Sequence, residues 1–205
     1  DRPGYTDDVA SVALATYQRG QVSLPQGQAG RVAISPLLPP PLQQLLEGET
    51  GFLRSRAAAK EVLHESGTTP AMDVRLGRRG FEYGEFLGML LSSGIIERSD
   101  ETLEEVGIFF TPKRSGGLRL IFDTRRANCH FEEPPHTSLP SAENLGDLEA
   151  PPGGSLFLAQ GDVSVCFYQF ELPEALRRFF GVPPVDASFL PAAVRKELDL
   201  SRTSG

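Results

Sequence analysis

Two stretches of this chain hold residue types that can handle phosphate and a divalent cation. In Gly107-Ile-Phe-Phe-Thr-Pro-Lys-Arg-Ser-Gly-Gly-Leu-Arg-Leu-Ile-Phe-Asp-Thr-Arg-Arg-Ala-Asn128, five cations, Lys113, Arg114, Arg119, Arg125 and Arg126, gather around one acid, Asp123. A guanidinium grips phosphate oxygens with two parallel hydrogen bonds, and an ammonium on a long stem acts as a movable point charge. In Leu156-Phe-Leu-Ala-Gln-Gly-Asp-Val-Ser-Val-Cys-Phe-Tyr-Gln-Phe170, an apolar run leads to Asp162, with Phe167 and Tyr168 just beyond it. Phosphoryl transfer assisted by divalent ions needs hard oxygen ligands, and a carboxylate at the exit of a buried strand supplies one at a fixed place. The pair of stretches points to metal-assisted chemistry on a nucleic acid. On local pattern alone, Asp162 after Gly161 also fits a turn or cap, and Phe167 and Tyr168 also fit alternating core positions of a strand.

The elements that must position these residues follow from periodicity. Val106 to Thr111 and Leu118 to Phe122 are short apolar runs around Pro112-Lys-Arg-Ser-Gly-Gly117, which predicts a β-hairpin with a flexible cationic tip. Leu156 to Gly161 predicts a buried strand, and Phe179 to Pro183 another after a helical turn at Pro173 to Arg178. Phe81, Tyr83, Phe86, Leu87, Leu90 and Leu91 predict an amphipathic helix stopped by Gly94. Leu42 to Glu65 reads as helix broken by glycines and ended by Ser66-Gly67, and 67–80 as irregular. Thr6, Asp7 and Asp8 cap a short predicted helix carrying Val9, Val12, Ala13 and Tyr17, closed by Gly20. Residues 20–41 read as loop ending in an extended rod, Pro39-Pro40-Pro41, and a helix is predicted from Ser141 to Leu148 within the loop 128–155. The division that results is an N-terminal helical and irregular arm, 1–75, a central region, 76–190, and a frayed tail, 191–205.

Bulk properties narrow the function. The 205 residues suffice for one core with an attached arm, and 17 Pro with 21 Gly predict long irregular connections. A net charge of −7 speaks against a protein that simply coats nucleic acid, but a local basic patch still holds phosphate because screening confines charge effects to about 10 Å. No run of 18 uncharged apolar residues and no basic-then-apolar leader occurs, which predicts an intracellular protein with no membrane partner. Cys129 and Cys166 lack the paired spacing of a zinc site and read as reduced thiols. A chain beginning at Asp1 reads as a fragment or a processed product.

In this order, the two stretches resemble the fingers hairpin and first catalytic motif of reverse transcriptases, the RNA-directed DNA polymerases of retroelements; the likeness spans residues 81 to 185. It implies an α+β fold, a partial right-hand polymerase with the fingers hairpin and the start of the palm. It implies Asp162 as the catalytic metal ligand, with the Val163 carbonyl assisting, and Mg2+ as cofactor. Phe167 would underlie the sugar of the incoming nucleotide and reject a 2′-hydroxyl by shape. Lys113 and Arg119 match the hairpin residues that hold the triphosphate. Asp123, Arg125 and Asn128 match a recurring strand-and-turn that braces the loop or touches the template. The partners implied are an RNA or DNA template-primer, deoxynucleoside triphosphates and the remainder of the polymerase chain.

The chain departs from that pattern at Val165, where the family has a polar or acidic residue, and at Cys166, where it has a small one. No Asp-Asp pair follows Asp162, and Asp186 and Asp199 stand alone. The family's two-ion site is therefore expected to be one-sided here, and the isolated chain inactive. A decayed or domesticated noncatalytic nucleic-acid-binding module is the rival reading, and an interaction domain unrelated to polymerases is a third. The polymerase reading needs the hairpin to fold over Asp162 with room for a nucleotide between them.

Overall fold

A computed structural model describes residues 13–25, 32–47, 51–134, 146–150, 152–157, 159, 161–163 and 166–202. It is a mixture of helices and two small sheets, an α+β arrangement. In chain order the elements are β1 (Val32–Ala33), α1 (Pro40–Glu47), α2 (Arg56–Ser66), α3 (Phe81–Ser92), β2 (Gly107–Pro112), β3 (Leu118–Asp123), α4 (Arg125–Asn128), β4 (Phe170–Glu171), α5 (Glu174–Arg177) and α6 (Ala192–Arg202), with short 3-10 turns between them.

The expected hairpin is present. β2 and β3 pair antiparallel from Gly107 opposite Asp123 to Pro112 opposite Leu118. Its tip is closed by Lys113 N donating to the Gly117 carbonyl at 3.0 Å and Gly116 N to the Lys113 carbonyl at 3.1 Å. Gly116 and Gly117 have φ of 87° and 80°, left-handed values that side chains other than glycine rarely adopt.

The core lies between this hairpin and α3. Helix α3 buries Tyr83, Phe86, Leu87 and Leu90 on one stripe and Gly84 and Gly88 beside it, so it is covered over more of its circumference than an amphipathic surface helix. The expected stop at Gly94 holds, with φ of 71°. Gly84 and Gly88, one turn apart, lie under the chain at 189–191: a Cβ on Gly84 would strike the Phe189 backbone carbonyl, and one on Gly88 would lie 2.5 Å from the Pro191 ring. The Tyr83 hydroxyl, wholly buried, donates to the Pro183 carbonyl at 2.7 Å. Burial pushes the Tyr83 phenol well above its usual range, so it stays neutral and acts as a donor.

Several local expectations are corrected. Residues 13–20 are not helical. They run as an extended strap: Ala15 N donates to the Phe110 carbonyl at 2.9 Å, and beyond a turn at Gly20, Ser23 N donates to the Leu118 carbonyl at 3.1 Å while Leu118 N donates to Gln21 at 2.7 Å. Phe110 lies on β2 and Leu118 on β3, so the strap bonds to both strands of the hairpin. Helical periodicity lost because the same spacing aims Tyr17 into the core once the hairpin offers backbone partners. The first part of the expected helix, residues 6–12, lies outside the described residues.

Pro40 and Pro41 do not form a rod but open α1. The first helical positions need no N–H donor, and proline's fixed φ suits them. Helix α2 ends as expected at Gly67, φ 54°, and begins at Ser55, whose Oγ accepts from Ala58 N at 3.2 Å. The expected tail at 191–205 is α6 through Arg202, with Val194 buried. Phe179 to Pro183 makes a single parallel bridge, Glu105 to Gly181, rather than a strand. The helix expected from Ser141 to Leu148 lies for the most part outside the described residues.

The strand expected at Leu156 to Gly161 is not formed in the residues described there: Leu156 and Phe157 have no ladder, and Phe157 is 93% exposed. An apolar run becomes a strand only against a strand edge, and none of the described segments offers one there.

Tyr17 is 2% exposed, with its ring edge-on to Phe86 at 5.2 Å and tilted against Phe110 at 5.5 Å. Replacing it by alanine empties that site, and Tyr17→Ala should cost about 3–5 kcal/mol in urea unfolding, whereas Leu14→Ala, 73% exposed, should change stability by under about 0.5 kcal/mol. Equal effects would show that the strap is not part of the core.

Candidate nucleotide-binding hairpin

The cations of the basic segment 107–128 divide into two that pair with buried acids and three with no acidic partner within 4.0 Å among the described residues. Asp123 ends β3 with its carboxylate 5% exposed. It accepts from Ala71 N at 2.7 Å, from Arg125 N at 3.2 Å, and from the Arg125 guanidinium at 2.8 and 2.6 Å on its two oxygens. The Arg125 side chain and the backbone donors outweigh the cost of burial and hold the Asp123 carboxyl down at about 2. Asp123 and Arg125 therefore brace the base of the hairpin. Gly107, across the ladder from Asp123, admits the same neighbouring segment, since a Cβ there would strike the Ala71 carbonyl.

Arg126 is bound in the same way. Its guanidinium forks onto Glu104 at 2.8 and 3.2 Å, and His130 Nε2 stands 3.3 Å from the same carboxylate. Burial pushes the Glu104 carboxyl up, but Arg126 and His130 more than offset this, and it lies below the usual carboxylate range. Two of the five cations of the segment, Arg125 and Arg126, are thus each paired with a buried acid, although Arg125 remains exposed.

Lys113, Arg114 and Arg119 remain. Lys113 is half-buried at the start of the tip, Arg114 is exposed within it, and Arg119 is exposed on β3. Among the described residues no acid pairs with any of the three within 4.0 Å. Their spacing leaves a cationic end on the hairpin, suited to a phosphate chain. Asn128 is exposed at the end of α4, where its N–H caps back to the Thr124 carbonyl at 2.8 Å.

The second stretch is arranged differently. Asp162 and Val163 are exposed and belong to no strand. Phe167, 92% exposed, sits in a 3-10 turn, Cys166–Gln169, ahead of β4, which pairs in parallel with β1 through Phe170 opposite Val32. Tyr168 is half-buried, and burial raises its phenol above the usual range. Among the described residues no hydrogen bond or ion pair joins the hairpin to 161–163, so the closure of the hairpin over Asp162 that the polymerase reading needs is not seen there. Nor do the described residues contain a group of three or more His, Cys, Asp or Glu able to hold a metal ion.

Two residues that position the hairpin escaped the sequence reading. Asp73, 6% exposed, accepts from Tyr17 N at 2.8 Å, Arg75 N at 2.9 Å and Leu76 N at 3.2 Å, while its own N–H donates to Ile108 on β2 at 2.6 Å. The bonds to the second and third following N–H groups form an Asx cap, legible in Asp73-Val-Arg-Leu76. The long-range bond to Tyr17 had no local signal. Glu104, the partner of Arg126, likewise reads as an ordinary surface acid until the fold buries it.

Comparison with protein-family models, curated proteins and solved structures yields no match to this chain. No helix among the described residues is long and apolar enough to cross a membrane.

A carboxylate whose pKa is depressed on folding stabilises the fold above its unfolded pKa, 3.8 for Asp123, and loses that contribution as pH falls toward 2. Asp123→Asn should therefore lower stability at pH 7 by about 2 kcal/mol and flatten the fall in stability between pH 4 and 2, followed by urea unfolding across pH. An unchanged acid limb would remove Asp123 from the brace. By contrast, the exposure of Asp162 and Phe167 predicts that Asp162→Ala and Phe167→Ala each shift the unfolding free energy by no more than about 0.5 kcal/mol. A loss of several kcal/mol in either variant would mean the side chain is packed.

Proposed function

We propose that this chain is the fingers and first part of the palm of a retroelement RNA-directed DNA polymerase, and that its hairpin binds the triphosphate of the incoming deoxynucleotide through Lys113 and Arg119. The observation that carries the reading is the division of the basic segment. Arg125 and Arg126 are engaged by the buried acids Asp123 and Glu104, while half-buried Lys113 and exposed Arg119 flank a glycine tip with no acid within 4.0 Å among the described residues. A rigid base with cations at its end is what phosphate recognition requires, since charges held in place bind without a large ordering cost.

In this reading Asp162 contributes one ligand for Mg2+, and Phe167 selects the sugar. Both depend on carboxylates and strands beyond those described, so turnover requires a further part of the polymerase chain. The parent activity is the transfer of a nucleotidyl group to a primer 3′-hydroxyl, with an RNA or DNA template-primer as partner. The exposure of Asp162 favours a second reading, a noncatalytic nucleic-acid-binding module that keeps the hairpin without chemistry.

Binding measured on the chain separates the two. A charge-assisted contact contributes roughly 1.5–3 kcal/mol, so the double variant Lys113→Ala/Arg119→Ala should weaken deoxynucleoside triphosphate binding at least about tenfold. If instead wild-type chain binds single-stranded RNA but no triphosphate, with the double variant reducing the log–log salt slope by about 1.4, the noncatalytic module is the better description. Triphosphate binding that ignores both substitutions would refute the hairpin assignment.

A further inference from the structure

We infer that the N-terminal strap, through Gln21 and Ser23, is the positioning element of the cationic tip and tunes its affinity for a phosphate chain. The inference rests on the phosphate-binding reading of the hairpin and extends it to residues that touch no ligand.

The hairpin itself anchors its tip weakly. Pro112, the last residue of β2, has no N–H to donate, and Gly116 and Gly117 impose little conformational preference of their own. The final ladder pair, Pro112 opposite Leu118, is reinforced from outside. Leu118 N donates to the Gln21 carbonyl at 2.7 Å, and the Leu118 carbonyl accepts from Ser23 N at 3.1 Å, so both polar groups of that residue are held by the strap. Lys113 and Arg119, the proposed phosphate ligands, follow Pro112 and Leu118 directly in sequence.

Contact with the strap is close as well as polar. A Cβ at Gly117 would lie 2.8 Å from the Gln21 carbonyl oxygen, which leaves space for glycine alone. The strap in turn cannot drift. Tyr17 is packed against Phe86 and Phe110, its N–H is bound by Asp73, and Arg19 pairs with Glu85 of α3 at 2.9 Å. The place of the tip is thus referred to the core through residues 17–23, and not only through β2 and β3. Displacing charged ligands by about 1 Å is enough to cost a large factor in function elsewhere in proteins, and the same geometry applies here.

The test uses inorganic tripolyphosphate as the probe and the full chain. Ser23→Pro deletes the donor to Leu118, while Gly117→Ala pushes against Gln21 from the other side. Each should raise the Kd for tripolyphosphate about tenfold without changing its salt dependence, because the same charges bind from a worse position. Faster amide exchange at Lys113 and Gly116 should accompany the loss. Should Ser23→Pro fail to fold, Gly117→Ala carries the test through the Leu118 amide, the donor to Gln21: faster exchange there with the raised Kd supports the strap, and a raised Kd with wild-type protection at Leu118 assigns the loss to the tip's own φ of 80° and overturns the strap's role. Folded variants with a lower melting midpoint and wild-type Kd, or with a shallower salt slope, would overturn the positioning role. The double variant Lys113→Ala/Arg119→Ala is the separate control: if it too binds as wild type, the phosphate-binding reading fails, and if it alone loses affinity, only the strap inference does.

Discussion

The burial of Tyr17 between Phe86 and Phe110 is the contact on which the rest of the molecule depends. It joins three segments far apart in sequence: the strap, helix α3 and the first strand of the hairpin. Aromatic pairs in edge-on and tilted arrangements add about 0.5–1.5 kcal/mol each beyond the area they bury, and three meet here. Asp73 fixes the same junction with hydrogen bonds, so the polar backbone of the strap enters the interior without an orphaned donor at Tyr17. With that junction made, β2 and β3 acquire a third segment and are no longer a bare two-stranded ribbon, which is marginal in water.

From this junction outward, the electrostatics sort themselves by burial. Asp123 and Glu104, each under a tenth exposed, demand partners and take Arg125 and Arg126. A pair built on a buried acid does more to fix geometry than to add net stability, because desolvation of that acid offsets part of the attraction. What it fixes here is the base of the hairpin and the turn that follows it. Lys113, Arg114 and Arg119 face no such demand and form a small cationic end on a chain whose net charge is −7.

The parts of this fold that could be read from sequence are those governed by local rules. The hairpin followed from two apolar runs and a glycine tip, α3 from its stripe, and the end of α2 from Ser66-Gly67. The strap was misread because Val12, Ala13 and Tyr17 satisfy helical spacing, and only the distant Phe110 and Asp73 make the extended form preferable. Pro39-Pro40-Pro41 was misread because proline fixes φ at a value shared by extended rods and first helical turns. Around Asp162 the apolar run signals a strand, but pairing depends on a neighbour that no local pattern supplies. The roles of Arg125 and Arg126 were hidden for a similar reason. Nothing in their own sequence distinguishes a cation facing solvent from one facing Glu104 or Asp123.

The strap also bears on how the chain reaches this state. Tyr17 and its partner Asp73 are 56 residues apart, and Tyr83 and Pro183 are 100 apart. Chains whose stabilising contacts lie this far apart close large loops before they gain much energy, so they fold slowly. During synthesis, which runs from the N-terminus, Tyr17 leaves the ribosome well before Phe86 and Phe110 exist to cover it. The nascent strap is therefore an exposed aromatic segment with open backbone groups for the time it takes to translate about ninety residues, several seconds at ordinary rates. That interval is when a chaperone would be of most use to this protein, and when a mispaired strand would be hardest to undo.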